Sequence, residues 1–338
     1  MKKKVLHLLA SNSYSGAENV VCTIIENDKE NDMYYCSPFG PIANTLKNRK
    51  IKYIPLKRLS PRAVKKVCRE NKIDIIHAHD YKASFVAVMS GFKGKIISQL
   101  HANWGFNKNW NLYTFIYSKI MKRFSKIVVV SKEIMDDAVY VKNNQEKFEI
   151  ITNVVDSKRV MMISDEFETD RYDLIFVGRL TGVKRPEMVI EITRKLKEDY
   201  PKIRTCMIGD GELMDSCQKL IKEYGLEENI YMKGFIANPF PYIKNSKIAL
   251  LPSLSEGLPM SVIECMILGV PVVNSGVGGL KNLFKDYPEF ICQTVDDYYK
   301  ICKLIINGKK NLARGCQKII SDAVDIKKYM NKINALYK

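Results

Sequence analysis

The sequence predicts an α/β fold built from two domains, each with a parallel sheet covered by helices. Short apolar runs alternate with amphipathic segments along almost the whole chain, and this alternation is typical of parallel sheets with helices on both faces. The pattern stops in a polar, irregular stretch around 157–171 and then begins again. The 338 residues are enough for two domains of ordinary size. We therefore predict a first domain over 1–160, a second over 161–322 and a terminal helix over 323–338.

In the first domain, apolar runs predict the strands and amphipathic segments predict the helices between them. The strands are expected at 5–9, 51–55, 73–77, 96–99 and 127–130, and the helices at 17–26, 61–70, 82–89 and 112–124.

The same two patterns predict the second domain and the terminal helix. The strands are expected at 174–177, 205–208, 229–232, 248–251 and 270–273, and helices are expected to begin near Pro186, Glu212, Pro239 and Pro259. Near the end of the chain, residues 326, 329, 333 and 336 are apolar. This spacing gives the terminal helix an apolar face that must pack on another surface.

Composition indicates a globular protein of a reducing compartment. Hydrophobic residues make up 46% and charged residues 27% of the chain. No apolar run approaches the roughly 20 residues that cross a bilayer, and the apolar run after the lysine-rich N-terminus is too short for a signal peptide. The nine cysteines are scattered, odd in number and without a Cys-x-x-Cys pair. This pattern excludes a disulfide framework and favours free thiols in the cytoplasm.

The net charge of +17 lies mostly in the first half of the chain. Residues 1–165 hold 28 Lys and Arg against 15 Asp and Glu, which leaves +13 there and +4 in the rest. Such a surplus suits an anionic partner: nucleic acid, an acidic membrane surface or a phosphorylated substrate. A surface coated with lysine for solubility alone is the plainer alternative.

Two carboxylates surround one predicted strand-to-helix loop in the second half. Glu256 follows the apolar strand 248–251, Pro259 suits the first turn of the next helix, and Glu264 lies more than one turn inside it. Loops at the carboxyl ends of parallel strands are where ligands bind in open α/β sheets. We expect both acids to face one crevice.

A second loop has the residues of an anion site. Gly178 and Arg179 leave a strand, and Lys184 and Arg185 come just before the helix that opens at Pro186. Backbone N–H groups, a helix N-terminus and two basic side chains together favour a phosphate. The spacing fits neither a P-loop nor a dinucleotide-binding fingerprint. We expect Asp210, in a further glycine-rich junction, to cap the helix that follows it.

The four histidines are 7, 77, 79 and 101. His7 lies within a predicted strand and has a structural role by the plainest interpretation. His77 and His79 end a strand, and no third ligand lies near them in sequence, so we predict no metal site. His101 lies at a strand end and is the best placed of the four to meet a ligand.

Motifs in both halves resemble those of glycosyltransferase family 4, whose members have the GT-B fold. In the second half the motifs are Gly178-Arg179 with Lys184, Gly209-Asp210-Gly211, Lys233-Gly234-Phe235, Glu256 and Glu264 with seven residues between them, and Gly278-Gly279. In the first half they are the loop 13–18, His77-Ala78-His79, Gln99-Leu100-His101, Val130-Ser131 and 153–156. The resemblance implies two Rossmann-like domains that face each other across a cleft, with the C-terminal helix packing back toward the N-terminal domain.

The resemblance also implies a donor site for a nucleotide sugar. Glu264 would hold the ribose hydroxyls, because a carboxylate accepts two hydrogen bonds from a diol. Glu256 would contact sugar hydroxyls, and His101 would reach the same sugar from the first domain. Arg179 and Lys184 would neutralise the diphosphate, which Gly16 would approach. The implied catalytic residues are Glu256, His101, Arg179 and Lys184, and the implied donor-binding residues are Gly16, Gly178, Arg179, Lys184, Gly209, Phe235, Ile236, Glu256, Gly257, Leu258, Met260 and Glu264.

The implied reaction needs no cofactor and no metal. Breaking a glycosyl–phosphate bond develops negative charge on the leaving diphosphate, and fixed cations aimed at that charge stabilise it. Arg179 and Lys184 supply these cations, and no Asp-x-Asp motif lies in a loop suited to metal binding.

The function expected from the resemblance is retaining transfer from a nucleotide sugar, a UDP-sugar by family tendency. The expected acceptor is a saccharide or a lipid-linked saccharide in cell-envelope polysaccharide synthesis, such as capsule, exopolysaccharide or O-antigen. The basic first domain suits peripheral binding to the inner face of the cytoplasmic membrane. The basic residues Lys119, Lys122, Arg123 and Lys126 lie among the apolar residues Tyr117, Ile120, Met121 and Phe124, and Trp104, Phe106 and Trp110 precede them.

Two other functions stay open at this point. A nucleotide-sugar epimerase on the same fold would consume the donor without an acceptor. A nucleic-acid-binding protein would explain the charge, although no recognition helix or aromatic platform accompanies the basic residues. We expect no nucleic acid among the partners.

Overall fold

The structure, a computed structural model, describes residues 2–101, 105–141, 144–256, 259–308 and 319–338. In these ranges the strands form one sheet of seven and one of five, and all the strand pairs are parallel. The chain divides into two units: unit 1 is Met1–Val154 with Asp325–Lys338, and unit 2 is Val155–Val324. The predicted α/β class with two Rossmann-like domains is confirmed.

Unit 1 contains the seven-stranded sheet, in the order β3-β2-β1-β4-β5-β6-β7. Its strands are β1 Lys4–Leu8, β2 Asp32–Pro38, β3 Tyr53–Leu56, β4 Ile75–His79, β5 Lys95–Leu100, β6 Lys126–Val129 and β7 Phe148–Ile150. Its helices before the unit boundary are α1 Gly16–Asn27, α2 Ile42–Asn48, α3 Pro61–Glu70, α4 Asp80–Met89, α5 Leu112–Ile120 and α6 Lys132–Asp137.

The central strands of unit 1 are the ones that the sequence predicts most clearly. β1 and β4 lie side by side in the middle of the sheet and are buried on both faces, so their sequences are nearly continuous apolar runs. Pro55 lies in β3, at the edge of the sheet, where the missing N–H interrupts no ladder.

The sequence patterns missed two strands of unit 1. β2 has a tyrosine pair and a cysteine between polar or turn-forming ends, and this mixture hides its buried centre. β7 has only three residues and lies at the other edge of the sheet. The predicted helix 112–124 ends earlier than expected, because α5 stops at Ile120 and a 3₁₀ turn follows over Met121–Arg123.

Unit 2 contains the five-stranded sheet, in the order β10-β9-β8-β11-β12. Its strands are β8 Tyr172–Val177, β9 Thr205–Ile208, β10 Ile230–Met232, β11 Ser246–Leu251 and β12 Val272–Asn274. Its helices are α7 Ser157–Ile163, α8 Pro186–Asp199, α9 Met214–Glu223, α10 Phe240–Lys244, α11 Met260–Ile267, α12 Gly279–Leu283 and α13 Val295–Ile306. The core lies between β8, β9 and β11 and the apolar faces of α8 and α13.

The terminal helix α14, Ile326–Tyr337, belongs to unit 1. Asp325 caps it by accepting a hydrogen bond from the N–H of Lys328. Its apolar face, Tyr329, Met330, Ile333, Leu336 and Tyr337, is buried, and the helix packs against α1. The expectation that this helix returns to the N-terminal domain is confirmed.

Two composition-based expectations concern the cysteines and the membrane. The eight cysteines within the described ranges are buried and form no disulfide, and Cys316 lies outside those ranges. None of the helices that the structure describes combines the length and apolarity that a bilayer crossing requires.

Candidate active site

The carboxyl ends of β8 and β11 form the topological switch point of the second sheet. The chain moves outward from β8 through β9 to β10 and then returns to the other side of β8 with β11. The loops that leave these two neighbouring strands therefore diverge, and ligands of open α/β sheets bind in the crevice between such loops. Arg179 and Lys184 follow β8, and Glu256 follows β11.

Backbone hydrogen bonds shape the loop that follows β8. Gly178 donates its N–H to the carbonyl of Ile208 at 3.0 Å, and Leu180 donates to Asp210 at 3.0 Å. The side chain of Arg179 is exposed and forms no ion pair with any residue of the described ranges. Its guanidinium is therefore free to bind an anionic ligand.

An ion pair joins the two loops of the switch point. The ammonium of Lys184 donates a hydrogen bond to a carboxylate oxygen of Glu256, whose side chain is only 6% exposed. The N–H of Leu254 bonds the carbonyl of Val183 at 2.8 Å, so the backbones of the two loops are joined as well. The structure thus brings together two of the four predicted catalytic residues, one of each charge.

Glu264 lies inside α11, where the carboxylate is largely removed from water. Burial raises the pKa of Glu264 from 4.5 to about 7. Desolvation disfavours the charged form, and no salt bridge to this carboxylate is found among the residues that the structure describes. An ionised Glu264 therefore gains much from a ligand that donates hydrogen bonds to it.

Two glycines of the site are positions where no other residue fits. Gly209 has φ +145° and Gly278 has φ +56°. A Cβ on Gly209 would lie 1.8 Å from the carbonyl oxygen of Gly178, and a Cβ on Gly278 would lie 1.8 Å from that of Glu256. These glycines let neighbouring loops pack at backbone contact.

The remaining predicted donor-binding residues of unit 2 lie along the same edge of the sheet or outside the described ranges. Phe235 follows β10 and is exposed, and Ile236 beside it is half-buried. Met260 is buried at the start of α11. Gly257 and Leu258 lie outside the described ranges.

The prediction that Asp210 caps a helix is wrong. Helix α9 begins at Met214 with Leu213 at its N-cap, and Asp210 accepts a hydrogen bond from Gly211 instead. Pro259 is the extended residue before α11 rather than part of its first turn.

Unit 1 has its own switch point, between β1 and β4. The chain leaves β1 toward β2 and β3 and returns beside β1 with β4. Gly16 opens α1 after β1, and Asp80 opens α4 directly after β4. The hydroxyl of Ser15 donates a hydrogen bond to the carboxylate of Glu18, in the first turn of α1. Burial raises the pKa of Glu18.

His101 follows β5 and is held at its backbone by Asp80, whose carboxylate accepts the N–H of His101 at 2.9 Å. Nε2 of His101 lies 2.8 Å from Nδ1 of His79, and Nε2 of His79 lies 3.0 Å from Nδ1 of His7. No local pattern in the sequence indicates these contacts, because they depend on the register of three strands. Asp80 was also missed; its φ of 64° is the feature that marks it.

A third imidazole lies beside His77 and His79 in space, although none is near them in sequence. The register of β1 against β4 places His7 opposite His77. Ring nitrogens of His7, His77 and His79 lie within 4.8 Å of one another, and all three side chains are buried.

Family comparisons cover both units. Residues 158–335, more than half of the chain, match the family described as "Glycosyl transferases group 1". Residues 15–159 match "Glycosyltransferase Family 4".

Three curated relatives are similar over different shares of their length. An uncharacterized glycosyltransferase of Methanocaldococcus jannaschii, MJ1059, is 29% identical over 62% of this chain, which spans 57% of that relative. The capsular polysaccharide biosynthesis glycosyltransferase CapH of Staphylococcus aureus is 23% identical over 92% of both chains. A Campylobacter jejuni enzyme, N-acetylgalactosamine-N,N'-diacetylbacillosaminyl-diphospho-undecaprenol 4-alpha-N-acetylgalactosaminyltransferase, is 25% identical over 94% of this chain and 90% of its own.

Among solved structures, Anabaena Alr3699/HepE in complex with UDP-glucose is similar with a TM-score of 0.82. The identity is 18%, over 98% of both chains. This likeness concerns the fold, and it agrees with the two family matches. The chain therefore belongs to the group 1 glycosyltransferases of family 4, has the GT-B fold and is a glycosyltransferase.

Proposed function

We propose that this protein transfers a sugar from a UDP-sugar to a saccharide or lipid-linked saccharide, with retention of configuration and without a metal ion. The observation that carries the proposal is the Lys184–Glu256 pair beside the exposed Arg179 at the switch point of unit 2. Two cations and one carboxylate at a strand-to-helix edge match a ligand with a diphosphate and a sugar.

The charges assign a role to each side chain. Arg179 binds the diphosphate as a forked donor and Lys184 as a point charge, and both stabilise the negative charge that grows on the leaving group. Glu256 accepts hydrogen bonds from sugar hydroxyls, and Glu264 accepts those of the ribose. Because Lys184 already contacts Glu256, one ammonium can connect the diphosphate to the residue that holds the sugar.

Similar proteins support the donor and acceptor classes. HepE was solved with UDP-glucose, and the Campylobacter relative is named for a diphospho-undecaprenol acceptor. CapH is named for capsular polysaccharide synthesis. We therefore place this protein in cell-envelope polysaccharide assembly.

The donor site is tested by Lys184→Ala and Glu256→Ala. We expect transfer from a panel of UDP-sugars to fall by about 10²-fold or more in each variant, because each removes a charge aimed at the reacting groups. Lys303→Ala is the matched control, since Lys303 forms an exposed ion pair with Asp199 on the same unit. Circular dichroism verifies the fold of every variant. Wild-type turnover in either site variant would refute the assignment.

Retention and metal independence need separate measurements. NMR of the product gives the anomeric configuration, and turnover in excess EDTA should equal that in added Mg²⁺. An inverted product or activity that disappears with EDTA would contradict the proposal. A UDP-sugar that is epimerised without any acceptor would instead indicate an epimerase.

We further propose that unit 1 binds an anionic membrane through an exposed aromatic surface. This surface consists of Trp110, Leu112, Tyr113 and Phe115, whose side chains are between 53% and 69% exposed. Lys108, Lys119, Lys122 and Arg123 are exposed in the same segment. Apolar side chains that insert beside basic ones bind anionic interfaces.

The apolar residues of this surface differ from those expected. Tyr117, Met121 and Phe124 are buried in the core of unit 1, so they cannot enter a bilayer. Trp104 lies outside the described ranges, and Phe106 is half-buried.

Vesicle binding tests the membrane proposal. We expect binding to phosphatidylglycerol vesicles at low salt and little binding to phosphatidylcholine. Trp110→Ser with Tyr113→Ser should weaken binding by about tenfold or more, because each buried aromatic contributes over 1 kcal/mol. Phe39→Ser is the control, since Phe39 is an equally exposed aromatic of unit 1 outside this surface. Equal loss in the control would contradict the assignment.

A further inference from the structure

All four histidines of the chain lie at the centre of the first sheet. His7 is on β1, His77 and His79 are on β4, and His101 follows β5, so three neighbouring strands supply them. His7, His77 and His79 are at most 2% exposed. A glycosyl donor site needs at most one of these rings, so the other three require an explanation of their own.

Three of the rings form a continuous hydrogen-bonded row: His7, His79 and His101. Nδ1 of His7 contacts Nε2 of His79 at 3.0 Å, and Nδ1 of His79 contacts Nε2 of His101 at 2.8 Å. His77 stands beside the row rather than in it. Its ring stacks on His79 with centroids 4.5 Å apart, while its Nδ1 contacts the hydroxyl of Tyr337 at 2.8 Å.

A hydrogen bond between two ring nitrogens needs one proton, so the row has only two arrangements while it is neutral. Three neutral rings carry three protons, and the two internal contacts use two of them. The third proton is either on Nε2 of His7, at the inner end, or on Nδ1 of His101, at the outer end. All three rings then share one tautomer, because a change in one ring leaves a contact with two protons or none.

The row is neutral because it is buried. Burial lowers the pKa of His7 to about 3, and it also lowers the pKa of His79 and of His101. The carboxylate of Asp80 acts in the opposite direction on the pKa of His101.

Asp80 distinguishes the two ends of the row. Its carboxylate accepts the backbone N–H of His101 and so lies next to the outer end. When the third proton is on Nδ1 of His101, the N–H dipoles of the three rings point from His7 toward that negative charge. Nε2 of His7 at the inner end and Nδ1 of His101 at the outer end are both buried with no partner in the described part of the chain. A missing acceptor therefore costs the same at either end, and the carboxylate of Asp80 is the feature that favours the proton on Nδ1 of His101.

We propose that His7 and His79 are positioning residues that hold His101 as its Nδ1–H tautomer, so that His101 meets its ligand as a neutral hydrogen-bond donor. That the ligand is a sugar or phosphate oxygen rests on the proposed function; the tautomer itself does not. Free neutral histidine favours the other tautomer, with the proton on Nε2. The row, with the carboxylate of Asp80 at its outer end, therefore reverses the ordinary preference of His101.

A metal ion among His7, His77 and His79 is the competing arrangement. Three imidazoles can hold zinc when a water takes the fourth position, and the group here holds three imidazoles. Nδ1 of His7 and Nε2 of His79, however, are occupied by each other. The hydrogen-bonded row accounts for these contacts without a buried double charge.

Nitrogen NMR of isotope-labelled histidine tests the proposal directly. A tag-free protein has only the four rings of the cluster, so every signal belongs to it. We expect His7, His79 and His101 to show a protonated Nδ1 and a bare Nε2 at neutral pH. A bare Nδ1 on His101, an imidazolium signal, or one Zn²⁺ per chain by elemental analysis would overturn the proposal.

The same change from histidine to phenylalanine at two positions distinguishes a positioning role from a packing role. His79→Phe interrupts the row and should return His101 to the Nε2–H form. His77→Phe removes a buried histidine from the same strand but leaves the row intact, so the His101 signal should stay unchanged. An Nδ1–H signal of His101 in folded His79→Phe would refute the role of the row.

Turnover gives the functional consequence. If His101 donates to an oxygen of a bound substrate, His79→Phe should lower kcat by about tenfold, the effect of one lost hydrogen bond, with UDP affinity unchanged. His77→Phe should keep the wild-type kcat. Absence of transfer in the wild type would remove the proposed function but leave the NMR result valid, whereas a normal kcat in His79→Phe would show that the tautomer is irrelevant to the reaction.

Discussion

At the scale of single residues, Glu264 is an acidic side chain between the buried residues Ile263 and Cys265 of α11. The raised pKa of Glu264 has a consequence between pH 4.5 and about 7. In this range the folded chain keeps a proton on Glu264, whereas the unfolded chain has released it. Glu264 therefore adds most to stability below the lower value, and this contribution is lost as pH rises through the upper one. A site that must accept hydrogen bonds near neutral pH thus lowers the stability of its own unit.

Substitution of Glu264 by glutamine should reveal this conflict. We expect the stability of Glu264→Gln to rise relative to wild type between pH 5 and pH 8, by at most about 3 kcal/mol. UDP affinity should fall at the same time, because an amide oxygen binds the ribose diol less strongly than a carboxylate. Urea unfolding at both pH values and calorimetry with UDP measure the two effects.

Glu228→Gln is the control for this comparison, since Glu228 is exposed on the same unit. An identical pH dependence of stability in the two variants would contradict the assignment of the pKa shift to Glu264.

At the scale of elements, the loops that follow β11 and β12 meet at a close backbone contact. Gly278, just before α12, lies against the carbonyl of Glu256. The position of Glu256 therefore depends on a residue that touches no ligand in the proposed site. A change in either loop is transmitted through this contact to the carboxylate that pairs with Lys184.

We expect Gly278→Ala to displace the Glu256 loop, because a Cβ there would lie 1.8 Å from a backbone oxygen and the φ of +56° disfavours any side chain. The strain should cost about 1 to 3 kcal/mol of stability and weaken UDP-sugar binding. Gly182→Ala is the control, since a Cβ at Gly182 meets no atom within 4 Å. Calorimetry and thermal unfolding of the two variants test this, and equal behaviour would refute it.

Sequence patterns predicted the elements better than the contacts between them. The run of Ile75, Ile76 and Ala78 marks a strand buried on both faces, and Pro186 marks the start of a helix, because both signals are local. Lys184 and Glu256 were expected together only as members of one donor site, and their direct contact was not predicted, since 72 positions separate them in sequence. The histidine row was not predictable, because it depends on how three strands align.

At the scale of the whole molecule, unit 1 is made of two separate pieces of chain. Besides the packing of α14 on α1, the ammonium of Lys95 bonds the carbonyl of Leu336 at 2.9 Å, and that of Lys3 bonds the carbonyl of Tyr337 at 2.6 Å. Residues near both ends of the sequence therefore stabilise the same sheet.

Neighbouring positions on α14 offer a matched test of this arrangement. Ile333 is fully buried and Lys332 is exposed. We expect Ile333→Ala to cost about 2 to 5 kcal/mol and Lys332→Ala less than about 0.5 kcal/mol. Amide hydrogen exchange should accelerate in β1 in the first variant. Faster exchange confined to unit 2 would show that α14 does not support unit 1.

The two-piece construction of unit 1 also sets an order of events during protein synthesis. β1 and β4 leave the ribosome long before residues 326–337 have been made. The sheet around His77 therefore stays uncovered until the side chains of α14, such as Tyr337, have been synthesised. Unit 2 is one continuous segment, 155–324, and the described residues of its core all precede α14 in the chain. The half of the protein that is synthesised second is therefore the half that can finish folding first.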